Sequence, residues 1–147
     1  MAETPLASRT LLVVDDDRQQ TDLLRQLISR HGYRVLAVRS AQEALDLIRC
    51  STESIDLVIT DITMPDMTGL ELAQRLLIER PELPIILVSG IGIESESTDL
   101  EGQGFGFETK AQSLPPNVVD RLQKPYRSRQ LLSRIERILE ERKHTDN

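Results

Sequence analysis

Residues 56–70 read DLVITDITMPDMTGL. The run from Leu57 to Thr60 is short, apolar and β-branched, which predicts a buried strand, and it ends on a lone carboxylate, Asp61. A core strand gains nothing from a charge at its tip. Most single acids in such a place cap the next helix or face solvent, so Asp61 earns a functional reading only if other strands end in matching chemistry.

They do. TLLVVD (10–15) reads as a first strand, YRVLAV (33–38) as a second, PIILVSG (84–90) as a fourth and VVDRLQKP (118–125) as a fifth. Helical periodicity fills the gaps. RQQTDLLRQLISRHG (18–32) places Leu23, Leu24, Leu27 and Ile28 on one stripe, with Gly32 set to end the helix. SAQEALDLIRC (40–50) opens on a capping-box pair, Ser40 and Glu43. GLELAQRLLIER (69–80) opens on a second, Thr68 and Glu71, and is stopped by Pro81. The cleanest amphipathic helix is SRQLLSRIERILEERK (128–143), with Leu131, Leu132, Ile135, Ile138 and Leu139 on its apolar face. Strands alternating with helices predict an α/β fold with a doubly wound parallel sheet of five strands.

The 147 residues suit one domain, and a net charge of −6 argues against a nucleic-acid surface. No apolar run approaches the roughly 18 residues of a membrane span. The opening MAETPLASRT lacks the layout of a secretory signal, so a cytoplasmic protein is expected. The single cysteine, Cys50, excludes an internal disulfide and reads as a buried, inert thiol. We expect an N-terminal tail over 1–8, a domain over 9–142 and a frayed C-terminal tail over 143–147. Within the domain, 92–116 is rich in Gly, Ser and Glu and is expected to be an irregular loop with at most a short helix.

In a doubly wound sheet, ligands sit beyond the carboxyl ends of the strands. There this chain places Asp15 and Asp16, Asp61, Ser89 and Lys124. Neighbouring strands are roughly 4.8 Å apart, so the acids should meet. Two like charges about 5 Å apart at an effective dielectric of about 20 repel by roughly 3 kcal/mol, which calls for a cation. Hard oxygen ligands suit Mg²⁺; Zn²⁺ would want paired Cys or His, which are missing. Mg²⁺ and the Lys124 ammonium together would offset the carboxylates and receive a phosphoryl group, with Asp61 as the nucleophile.

The set VVDDD, ITDITMPDMTGL, ILVSG and LQKPY, in that order, resembles the receiver domain of two-component response regulators, stand-alone or attached to hybrid kinases. The resemblance implies a flavodoxin-like (βα)5 fold with strand order 2-1-3-4-5. It also implies phosphorylation of Asp61 by a histidine kinase or phosphotransfer protein, with self-catalysed phosphorylation and dephosphorylation in a signalling domain that is not an enzyme. By position, Asp16, Asp61 and the Thr63 backbone carbonyl would bind Mg²⁺ directly and Asp15 through water. Ser89 and Lys124 would hold the phosphoryl group, Gly90 would leave space for it, and Pro125 would follow the lysine by a cis bond. No output domain is expected in this chain, and no nucleic acid or membrane insertion; the downstream effector would be a protein.

Two positions depart from the family pattern. Arg121 stands where receivers carry an aromatic switch residue, and the gap from Ser89 to Lys124 is longer than usual. The response is therefore expected to leave through 92–116. Elsewhere, Asp17 reads as a helix cap, and GQGFGF (102–107) as a flexible loop, because no strand precedes it. His31 reads as a helix-end residue, and Arg129, Arg134 and Arg137, interspersed with Glu136 and Glu140, as a solvated helix face. The competing functions are a Mg²⁺-dependent phosphohydrolase with an aspartyl-phosphate intermediate and a degenerate receiver that binds partners without phosphorylation. The first would want a D-x-D after the first strand, where Asp15, Asp16 and Asp17 are contiguous.

Overall fold

The computed structural model describes residues 9–50, 54–89 and 114–146. Among the described residues the elements are, in order, β1 (Thr10–Val14), α1 (Arg18–Ser29), β2 (Arg34–Val38), α2 (Ala41–Cys50), β3 (Leu57–Asp61), α3 (Gly69–Glu79), β4 (Ile85–Ser89), β5 (Val118–Gln123) and α4 (Ser128–Asp146). The strands form one sheet in the order β2-β1-β3-β4-β5, and every pairing is parallel. Parallel pairing brings all five carboxyl ends to one edge. The register then sets which residues meet there: Val14 faces Thr60, Asp61 faces Val88, and Ser89 faces Gln123.

Alternation along each strand divides the interior into two cores. Leu12, Val14, Val58, Ile85 and Leu87 pack with α2 and α3, while Leu11, Val13, Leu57, Ile59, Ile86 and Val88 pack with α1 and α4. A strand side chain points to alternate faces, so a sheet covered on both sides needs apolar residues at consecutive positions. This is why β1, β3 and β4 read as unbroken apolar runs.

The helix ends use local chemistry. Asp17 caps α1, accepting the Gln19 N–H at 3.0 Å. Thr68 and Glu71 form a reciprocal box at α3, with bonds of 3.0 and 3.1 Å. At α2 the box is modified: the Glu43 N–H donates to Ser40 Oγ at 3.1 Å, but the Glu43 carboxylate reaches past Ser40 to the Arg39 N–H at 2.8 Å. Gly32 ends the α1 turn at φ 93°, in the left-handed region that favours glycine.

Three expectations are corrected. Cys50 is exposed, because it is the last residue of α2 and lies off the face carrying Ala41, Ala44, Leu45 and Ile48. Leu23 is 60% exposed, since Leu24 and Ile28 alone of the α1 leucine and isoleucine stripe are buried. Helix α4 runs on to Asp146, no Pro or Gly standing in its last turns to stop it. The 1–8 tail, GQGFGF, Gly90 and nearly all of 92–116 lie outside the described residues. No described helix is long and apolar enough to cross a membrane.

Candidate functional site

Asp15 follows β1, held by its N–H donating to the Val38 carbonyl at 3.2 Å. The residue is 5% exposed, and its carboxylate is met from two sides. Oδ1 accepts the Asp17 N–H at 3.0 Å, and Oδ2 lies 3.7 Å from Lys124 Nζ. Asp16 is exposed beside it, and Asp61 is half-buried at the tip of β3. Carboxylate oxygens of Asp15, Asp16 and Asp61 all lie within 4.8 Å of one another. Among the described residues, no other group of three possible ligands gathers in this way.

Ser89 ends β4, Lys124 directly follows the neighbouring β5, and the two are joined through the backbone. The Lys124 N–H donates to the Ser89 carbonyl at 2.9 Å, and the Lys124–Pro125 peptide is cis. Ser89 is buried at the end of β4. Thr63 is exposed in the β3–α3 loop, two residues past Asp61.

The electrostatics of the cluster are unfavourable to its carboxylates. Burial pushes the Asp61 carboxyl up to about 6; Asp15 and Asp16 push the same way, and Lys124 and the Ile62 N–H only partly oppose them. Asp15 is likewise raised by burial, against the pull of the Asp17 N–H and Lys124. One ammonium facing three carboxylates leaves negative charge in excess, so a divalent cation fits the donor set. Asp16, Asp61 and the Thr63 carbonyl, with Asp15 behind them, are the residues that would hold it.

Several residues at the site were not singled out from the sequence. Tyr126, two residues after Lys124, has its phenol pushed up to about 12 by burial and by the charges of Asp15 and Asp61. Gly69 packs so closely that a Cβ there would stand 2.4 Å from the Asp61 carbonyl oxygen. Asp66 accepts the Gln42 N–H at 2.9 Å and the Ala41 N–H at 3.4 Å, joining the β3–α3 loop to α2. The Gly was visible as the start of a helix after a Thr cap; the other two contacts had no local signal.

Other expectations resolve plainly. Asp17 is committed to the cap of α1, where its carboxylate accepts the Gln19 N–H. His31 Nδ1 lies 3.1 Å from the Leu27 carbonyl oxygen at the end of α1. That helix starts beside the cluster and carries the chain about 18 Å along its axis. Arg134 is more than a solvated side chain: it pairs with Asp120 of β5, with Arg137 Nη2 3.7 Å from the same carboxylate. Arg121 is half-buried on β5, its N–H donating to Asp120 Oδ1 at 2.8 Å.

Comparison with known proteins agrees with this arrangement. The family model of the response regulator receiver domain matches residues 11–136. The transcriptional regulatory protein CpxR of Escherichia coli (strain K12) is 32% identical over 143 residues, covering 93% of this chain and 54% of its own length. Response regulator MprA of Mycolicibacterium vanbaalenii is 33% identical over 129 residues, covering 88% of this chain and 49% of its own. The chain thus spans about half the length of these relatives. Among solved structures, a CheY-like response regulator receiver domain protein from Methanospirillum hungatei superposes with a TM-score of 0.76 at 29% identity, covering 93% of this chain and 98% of that one. The strand order, the acidic cluster at the carboxyl edge and these matches agree, and the chain belongs to the response regulator receiver domain family.

Proposed function

We propose that this receiver domain takes a phosphoryl group on Asp61 from a histidine kinase or phosphotransfer protein, with Mg²⁺ bound by Asp16, Asp61 and the Thr63 carbonyl. The observation that carries the reading is the meeting of three carboxylates within 4.8 Å, beside the Lys124 ammonium. A carboxylate of Asp61 attacks phosphorus as the bond to the donor nitrogen breaks, and the electron pair leaves with the donor imidazole. Mg²⁺, when bound, supplies positive charge against the phosphoryl oxygens.

The chain's own residues do the rest. Asp15 holds the Lys124 side chain at the site through the 3.7 Å pair. Lys124 then balances the charge that the phosphoryl group brings, and Ser89, whose backbone is tied to Lys124, donates its hydroxyl to a phosphoryl oxygen. The product is an aspartyl phosphate on a signalling domain, with a protein effector downstream and cytoplasmic partners.

Incubation with radiolabelled acetyl phosphate tests this. Label is expected only with Mg²⁺ present, and borohydride, which releases the phosphate and reduces the acyl carbon to an alcohol, is expected to convert Asp61 to homoserine in the mapped peptide. Label on His31, or labelling indifferent to a chelator, overturns the assignment.

Lys124→Met separates the two charges. It removes the ammonium but leaves every carboxylate, so Mg²⁺ binding should persist or tighten, while the labelling rate falls by about 10²-fold, the cost of removing one charge-stabilising donor. Equal labelling rates for the variant and the wild type would refute the role given to Lys124.

A further inference from the structure

The loop from Ile62 to Thr68 carries the Thr63 carbonyl, so whatever fixes this loop fixes that ligand. Its two ends are held by its own strand and helix: the Ile62 N–H donates to the Val88 carbonyl at 3.0 Å, and the Gly69 N–H to the Ile62 carbonyl at 2.7 Å. Its middle is held from another element. That element is the first turn of α2.

A helix starts with N–H groups that have no partner inside it. In α2, the Glu43 N–H is met by Ser40 Oγ at 3.1 Å and the Ala44 N–H by the Ser40 carbonyl at 3.1 Å. The two N–H groups before them, of Ala41 and Gln42, both donate to the carboxylate of Asp66. Burial alone would raise this carboxyl; instead it is held below the ordinary range by the N–H groups of Gln42, Ala41, Met67 and Asp66 itself. One carboxylate of the loop therefore gathers the first two N–H groups of α2. The far end of α2 is fastened as well, since Arg49 Nε donates to Glu79 Oε1 of α3 at 2.9 Å. The helix is thus an anchored support for the loop.

We propose that Asp66 is a positioning residue for the Mg²⁺ and phosphoryl site: its bonds to α2 hold the middle of the β3–α3 loop and so aim the Thr63 carbonyl. The inference rests on the Mg²⁺ site proposed above. It differs from simple helix capping in one respect. A cap that serves only α2 affects stability, whereas a tether on the loop affects the affinity for the cation.

Calorimetric titration of the full chain with Mg²⁺ alone distinguishes the two. Asp66→Ala is expected to weaken Mg²⁺ binding by about tenfold, in line with the loss of a residue that orients a ligand from behind. Acetyl phosphate labelling should slow by a similar factor at low Mg²⁺ and recover at high Mg²⁺. Asp66→Asn, which keeps a carbonyl oxygen for the Gln42 N–H, should lose less, and it carries the comparison if the alanine variant does not fold. Ser40→Ala, which removes a cap of α2 without touching the loop, should lower the melting temperature but leave the Mg²⁺ Kd unchanged. Wild-type Mg²⁺ affinity in both Asp66 variants overturns the inference alone, as does an equal loss in Ser40→Ala. A wild-type protein that binds no Mg²⁺ overturns the site and the inference together.

Discussion

Asp61→Asn is expected to abolish phosphate incorporation and, in the absence of metal, to make the protein more stable. The first effect follows from the chemistry: an amide oxygen does not act as the nucleophile, and no other acid at the cluster stands on the central strand. Labelling should fall to background. The second follows from charge. Asp61 is raised from its ordinary 3.8 to about 6, burial being the main cause, so the fold disfavours its ionised form. Below 3.8 the group is protonated in both folded and unfolded chains and contributes no difference. Between 3.8 and about 6 the folded state binds more protons, so stability falls as pH rises. Above that the penalty is complete, about 1 to 2 kcal/mol once solvent screening of a half-exposed group is allowed for. Asparagine carries no such penalty. Urea melts in chelator should therefore show the variant ahead at pH 8 and the gap closing towards pH 4, and Mg²⁺ should stabilise the wild type more than the variant. Equal stability at pH 8 in chelator would refute the electrostatic account, and residual label on the variant would refute the acceptor assignment.

Gly69→Ala should damage both stability and chemistry. Gly69 is the first residue of α3, where alanine is ordinarily the better helix former by about 1 kcal/mol. Here a Cβ would stand 2.4 Å from the Asp61 carbonyl oxygen, 3.0 Å from Ile62 Cα and 3.1 Å from the Asp61 carbonyl carbon. All three are backbone atoms, so no side chain can swing aside. The loop has to move. Overpacking of this kind costs about 1 to 3 kcal/mol, enough to outweigh the helical gain. The moving atoms belong to the acceptor residue itself, and a displacement of about 1 Å at a reacting group costs on the order of 10²-fold in rate. Denaturant melts and initial labelling rates should therefore fall together. A variant with wild-type values of both would show that the loop accommodates a methyl group freely.

The fold was legible because its signals are local. Apolar runs of strand length, capping residues such as Asp17 and Thr68, and a Pro after α3 each act within a few residues of where they stand. The site was legible for a topological reason: parallel strands put their carboxyl ends on one edge, so the acids just past β1 and at the end of β3 come together with the lysine just past β5. What escaped is what depends on distance along the chain. Asp66 reaches back across 24 residues to Gln42, and Arg134 reaches Asp120 across 14. A carboxylate in a Met-Pro-Asp-Met stretch does not announce which helix it will serve. The exposure of Cys50 turns on one position at the rim of a helical face, where periodicity is least decisive. The expectation that 92–116 transmits the response falls almost wholly outside the described residues.

The division of the interior into two cores has a consequence for how such a domain diversifies. The buried side chains that pack with α2 and α3 and those that pack with α1 and α4 form sets with no member in common, separated by the strand backbones. Side chains that share no neighbours have nearly additive effects on stability. A lineage can therefore remodel the α1 and α4 layer, for instance at Ile135 or Leu139, without compensating changes at Leu72 or Leu76 on the other side. The sheet acts as a firewall between two histories of substitution, while its carboxyl edge keeps one set of reactive groups in place for both.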